Sequence, residues 1–132
     1  MALGRRLRAE VERSLRAHGL GLRHVSALGH LSREPGLSYS ELARRAGITA
    51  QSMQATLRQL EDLGAVERRT EAGRGRTARL HVTALGEELR GEGQRAIADA
   101  DRRLLAGIPA EYHDALTRGL LSAFTAGRAP DA

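Results

Sequence analysis

Apolar residues recur at helical spacing along most of the chain. Leu3, Leu7, Val11 and Leu15 stand four apart and place one stripe on a first helix. Gly19 and Gly21 end that helix. A second helix is expected over about residues 23–32, with Val25, Leu28 and Leu31 on one face. Glu34-Pro35-Gly36 breaks it. Ser38 and Glu41 then form an S-x-x-E capping box, with Leu37 and Leu42 at the staple positions around it. Gly47 stops this short helix, and Thr49 caps the next one, which runs to about Leu63 before Gly64. Ile48 and Met53 can form a second staple.

After Gly64 the period falls from 3.6 to 2. Val66 alternates with Glu67 and Arg68, and Ala78, Leu80 and Val82 alternate with Arg79 and His81. The glycine-rich run between them, residues 71–77, reads as the tip of a β-hairpin. Thr83 can cap a long helix over about residues 84–106, with Leu85, Leu89, Ile97, Ala100 and Leu104 as apolar positions. Gly86, Gly91 and Gly93 weaken it and predict a bend near 91–93. Pro109 opens a last helix, at its first turn. That helix carries Tyr112, Leu116, Leu120 and Phe124 at strict fourfold spacing. A frayed tail is expected from Gly127.

Two short helices joined by a glycine turn make a helix-turn-helix. Ala43 is small where the second helix must approach, Gly47 takes the left-handed turn and Met53 plugs the gap. Leu42, Ile48, Leu57 and Leu60 complete the expected core. The hairpin that follows adds a wing. The expected fold is therefore mainly α with a small β-hairpin: one domain over 1–132, with a winged helix-turn-helix at 23–83 between dimerisation helices at 1–22 and 84–126. The dimer face rests on Leu3, Leu7, Val11 and Leu15 with Tyr112, Leu116, Leu120 and Phe124. The same stripes can instead close one subunit's own core.

Composition narrows the options. A chain of 132 residues is one domain's worth. Its core must be aliphatic, because Tyr39, Tyr112 and Phe124 are the only aromatic residues. With no cysteine, disulfides and thiolate metal sites are excluded. No apolar run reaches the roughly 18 residues of a membrane span, and the N-terminus has no signal-peptide core, so a cytoplasmic protein is expected. All 21 basic residues are Arg, and the formal net charge is +5. The excess of Arg over acids sits in the first half, while the residues after 83 are net acidic. That asymmetry suits a nucleic-acid face at one end and an assembly region at the other.

The early part of the second motif helix carries Ala50, Gln51, Ser52, Gln54 and Ala55, with no acid, and Arg58 one turn on. Amides that can bridge adenine, small side chains and a positive helix end suit entry into a major groove. A polar solvated face has the same composition. Arg74 and Arg76, between glycines at the hairpin tip, can reach a minor groove or phosphates. Arg44 and Arg45 can meet the flanking backbone. Ser38 and Ser40 can donate to a phosphate, although capping is the first role of Ser38.

At these residues the chain resembles the MarR family of winged-helix regulators. The matching pieces are S-x-x-E-L-A at 38–43, Gly47-Ile48-Thr49, L-x-x-L-G-x-V-x-R-R at 60–69 and T-x-x-G at 83–86. The resemblance implies a homodimeric, sequence-specific DNA-binding regulator. It would repress a palindromic operator and release it when a small, often aromatic acid binds between the dimer helices and the winged helix. His18 and His24 flank that region and are candidate effector ligands. In relatives an acid precedes the wing-tip Arg by two residues, whereas this chain has Arg74 before Arg76; Glu71 is the available substitute brace. A protein-interaction module and a non-specific architectural DNA binder remain as alternative functions. No H-x-x-x-H pair, G-x-S-x-G elbow or phosphate loop is present. No enzymatic activity, metal or cofactor is expected.

Overall fold

The computed structural model describes residues 2–70 and 78–126, without the side chains of residues 2–4, 7 and 124–126. Arg74, Arg76 and Glu71, the tail from Gly127, and the side chains of Leu3, Leu7 and Phe124 lie outside the described residues. The elements are α1 (Ala2–Arg16), α2 (Leu22–Arg33), α3 (Tyr39–Ala46), α4 (Ala50–Asp62), β1 (Val66–Arg69), β2 (Arg79–Val82) and α5 (Ala84–Ala106). A 3-10 turn (Ala110–Tyr112) and α6 (His113–Ala126) follow. The chain forms two compact units, Met1–Ile97 and Ala98–Ala132.

In the first unit, side chains that satisfy orphan backbone groups define the helix starts. Ser38 Oγ accepts the Glu41 N–H at 3.2 Å, and the Ser38 N–H donates to Glu41 Oε2 at 3.0 Å. A capping residue of this kind contributes about 1 kcal/mol. Gly47 closes α3 at φ 69°, so the chain can turn at once into α4. Thr49 Oγ1 accepts the Ser52 N–H at 3.1 Å and opens α4.

The tight turn brings the two helices onto one aliphatic core. Leu28, Leu31, Leu42, Leu57 and Leu60 are completely buried there, with Met53 and Leu80 at 1% exposure. Ala43 lies among them, as its small size requires. Tyr39 packs partly buried against this cluster. Truncating one such leucine to alanine typically costs about 2–5 kcal/mol. Ile48 departs from expectation. It is 39% exposed, because the turn lifts it off the core that Met53 fills.

A second cluster joins Leu15, Leu20, Val25 and Ala96, with Val11, Leu22, Leu89 and Ile97 packed against it. This corrects the dimer-face reading of Leu15. Its side chain is completely buried within its own subunit, because the turn after α1 folds Leu20 and α2 back over it.

The hairpin pairs Val66 with Val82 and Arg69 with Arg79 in antiparallel register. On its other edge, Leu80 donates its N–H to the Leu37 carbonyl at 3.0 Å and accepts the Gly36 N–H at 2.9 Å. The wing is thereby anchored to the loop that starts α3.

Helix α5 is unbroken from Ala84 to Ala106. Two of its three glycines stand where another segment comes close. A Cβ on Gly86 would lie 2.1 Å from the Ala65 carbonyl oxygen, and one on Gly93 would lie 2.7 Å from Val25 Cγ2. Thr83 Oγ1 accepts the Gly86 N–H at 3.1 Å and donates to the Gly64 carbonyl at 2.5 Å. One hydroxyl therefore joins the turn after α4 to the start of α5.

In the second unit, Pro109 precedes the 3-10 turn as its cap, and α6 begins at His113. His113 Nε2 lies 3.0 Å from the Leu105 carbonyl and 2.8 Å from that of Ile108, which pins the loop. Tyr112, Leu120 and Leu121 are 56%, 62% and 58% exposed, and Leu116 is half-buried. No described helix is long and apolar enough to cross a membrane.

Candidate nucleic-acid interface

Helix α4 has two distinct faces. Met53, Thr56, Leu57 and Leu60, at i, i+3, i+4 and i+7, form its buried stripe. Thr56 satisfies its hydroxyl by donating to the Ser52 carbonyl at 3.2 Å. With that stripe fixed, Ala50, Gln51, Ser52, Ala55 and Arg58 are exposed and Gln54 is half-buried. Gln51, Ala55 and Arg58 share the line opposite the core. Ser52 Oγ accepts a hydrogen bond from Thr49 Oγ1 at 2.9 Å, which leaves its own proton available to donate.

No acid lies in the first turn of α4. The first acid, Glu61, is turned aside, because its Oε1 accepts Arg68 Nε from β1 at 2.6 Å. The positive helix end and the acid-free face therefore coincide.

The surrounding cations divide into free and paired. Among the described residues, Arg44, Arg58 and Arg79 form no ion pair and are exposed. Arg45 instead donates to Glu34 Oε2 at 2.9 Å. Both partners are about half exposed, so this pair contributes roughly 1 kcal/mol at most and leaves Arg45 able to exchange it for a phosphate. Ser40 is exposed, and Ser38 is partly buried and acts as the cap.

Arg79 is a candidate that the sequence reading did not single out. It stands across the hairpin from Arg69, whose charge Glu67 Oε1 answers at 2.8 and 2.6 Å. Its guanidinium lies beside Gly36, where a Cβ would sit 3.7 Å from Nη1. The alternation of β2 carried the signal, since Arg79 flanks buried Leu80 on the outer face.

The two histidines proposed as effector ligands part company. A cleft of about 550 Å³ is lined by Arg8, Glu12, Arg16, Leu20, Arg23 and His24, among others. His18 is not in its lining, and its Nδ1 lies 3.3 Å from Glu92 Oε2. His24 is 8% exposed and has both ring nitrogens engaged. Its Nδ1 accepts the Gly21 N–H at 2.9 Å, and its Nε2 lies 2.6 Å from Gln59 Oε1 on α4. A second space of about 390 Å³ shares Arg23 and His24 and adds Gln59, Asp62 and Leu63.

Comparison with known proteins bears on this arrangement. A family model described as MarR family matches residues 18–77. The HTH-type transcriptional repressor Rv2887 of Mycobacterium tuberculosis is 42% identical over 108 residues, which cover 82% of this chain and 78% of the relative. The chain belongs to the MarR family. It is a winged helix-turn-helix transcription regulator. The crystal structure of the M. tuberculosis MarR-family protein Rv2887 in complex with DNA matches with a TM-score of 0.78 at 36% identity, covering 92% of this chain and 91% of that one. The same protein in complex with salicylic acid matches with a TM-score of 0.74 at 38% identity, covering 92% and 90%. In this MarR-family chain α3 and α4 are the helix-turn-helix, and β1 and β2 are the base of the wing.

Proposed function

We propose that this MarR-family protein is a homodimeric, cytoplasmic repressor that reads a palindromic operator and is released from it by a small anionic effector. The observation that carries the DNA reading is the exposed, acid-free face of α4 over residues 50–58, held by a completely buried stripe. Ala50, Gln51, Ser52, Gln54, Ala55 and Arg58 meet base edges or the adjacent backbone. Ser38, Ser40, Arg44 and Arg45 flank them on phosphates, and Arg74 and Arg76 extend the contact from the wing tip. The solved complex of the relative Rv2887 with DNA supports this use of the fold.

The dimer reading keeps Tyr112, Leu116, Leu120 and Phe124 as interface, with Leu3, Leu7 and the partly buried Val11. The exposure of Tyr112, Leu120 and Leu121 supports it, since apolar side chains on that scale call for a partner surface. The effector reading is supported by the guanidinium-lined cleft at Arg8, Arg16, Arg23 and His24 and by the relative's complex with salicylic acid. We assign the protein no catalytic role.

Footprinting on the DNA upstream of the gene, alongside a scrambled duplex, tests the reading. A salt-sensitive, two-fold symmetric footprint with half-sites about one helical turn apart, roughly 10 bp, is expected. Equal affinity for the scrambled duplex would make the protein an architectural binder. Absence of binding by a dimer confirmed in sedimentation would make it a protein-interaction module.

A further inference from the structure

We propose that Gln59 is the positioning residue that couples the effector cleft to helix α4, and that a bound carboxylate acts by drawing Arg23 off the Gln59 carbonyl. This rests on the effector reading above and adds the route by which an occupant reaches the DNA-reading helix.

The hydrogen bonds fix the chemistry of the link. Arg23 Nη2 donates to Gln59 Oε1 at 3.1 Å. Arg only donates, so that atom is the amide oxygen and His24 Nε2, at 2.6 Å from it, carries a proton. His24 Nδ1 is then free to accept the Gly21 N–H at the cap of α2. A continuous chain runs from Gly21 through His24 to Gln59, with Arg23 as the second donor on the same oxygen. It connects the start of α2, in the wall of the cleft, to the last turns of α4.

Arg23 is the movable member. It is exposed and lines both spaces. Glu12, the one acid in the larger cleft's lining, already holds Arg8 at 3.0 Å. The cleft therefore has guanidinium charge in excess and favours an anion. A carboxylate offers Arg23 a bidentate, charge-assisted partner, stronger than a neutral amide oxygen. Once Arg23 takes it, Gln59 keeps only His24, and the end of α4 loses one of the two side-chain hydrogen bonds on Gln59 that add to its core packing against α2. Gln59 lies eight residues beyond Gln51, about 12 Å along the helix. A small pivot there displaces the reading end.

The test uses the full chain, a fluorescent operator duplex and sodium salicylate as probe, with salicylate binding measured separately by calorimetry. The concentration that releases half the operator is compared for the unmodified protein, Gln59→Glu and Gln59→Leu. Glutamate holds Arg23 by charge, so Gln59→Glu is expected to need at least about fivefold more salicylate. Leucine offers no acceptor. Gln59→Leu is expected to bind operator more weakly from the outset and to show no further loss when salicylate binds. A role in packing alone would not send the two variants in opposite directions. If Gln59→Leu does not fold, Gln59→Glu decides alone. Release of both folded variants at the unmodified protein's salicylate concentration would overturn the link and leave the effector reading standing. An unmodified protein that holds its operator at saturating salicylate would overturn the effector reading, and the link with it.

Discussion

Glu61 on α4 and Arg68 on β1 meet at 2.6 Å, tying the second helix of the helix-turn-helix to the root of the wing. Glu61 is a negative charge on the helix that carries the proposed DNA face, so its removal should favour binding if electrostatics alone decided. We expect the opposite. Gln in place of Glu61 frees Arg68, misaims the wing and weakens operator affinity, while stability falls by no more than about 1 kcal/mol, as for other half-exposed pairs. Anisotropy with labelled operator measures the first and urea denaturation the second. Tighter binding by Glu61→Gln would show that the pair does not position the wing.

The three glycines of α5 should respond to alanine with different signs. At Gly86 the new Cβ meets the Ala65 carbonyl, and at Gly93 it meets Val25. Both substitutions should destabilise by about 1–3 kcal/mol or more. At Gly91 the nearest atom is the end of the flexible Arg95 side chain, at 3.4 Å. Alanine there should stabilise by about 0.5–1 kcal/mol through helix propensity. Thermal melts of the three variants check the ordering.

On α4, Arg58 and Gln51 share the exposed line but should fail differently. Arg58→Ala is expected to weaken binding to all duplexes alike and to reduce the salt slope by about one. Gln51→Ala is expected to relax base preference at one position per half-site, with the slope unchanged. Salt titrations against operator and single-base variants separate the two. Loss of sequence preference in Arg58→Ala would make it a base reader.

His30 gives a pH dependence. Burial holds its pKa below the ordinary value of 6.5, with Arg33 and Arg45 pushing the same way and Glu34 opposing. The folded state therefore binds a proton less readily than the unfolded chain. Stability from this group is full above 6.5 and is lost as pH falls through the folded value. Urea midpoints should fall from pH 7 to pH 5, and His30→Gln should flatten that slope. An unchanged slope in the variant would assign the acid sensitivity elsewhere.

Local chemistry was readable in advance and tertiary approach was not. The caps at Ser38, Thr49 and Thr83 and the stops at Gly47 and Gly64 act over three or four residues, so the sequence displays both partners. The core face of α4 followed from its spacing. Leu15 was misplaced because a stripe reveals only that it is covered, not whether its own chain or a second copy covers it. Gly86 and Gly93 read as weak points because nothing local reveals the Ala65 carbonyl or Val25 above them. Gln59 was missed because its partners, Arg23 and His24, lie some thirty-five residues away. Arg79 does not stand out in the sequence because its alternation with Leu80 marks it only as outward-facing, and the ion pair that occupies its neighbour Arg69 shows only in the fold.

The aliphatic core has a spectroscopic consequence. The protein has no tryptophan, and its two tyrosines lie in different units: Tyr39 leans on the helix-turn-helix core, while Tyr112 stands mostly in solvent before α6. A Tyr112→Phe variant would leave one intrinsic fluorophore, at the first residue of α3. Quenching, anisotropy or near-ultraviolet dichroism would then follow the winged helix alone, with no label added to a surface proposed to touch DNA.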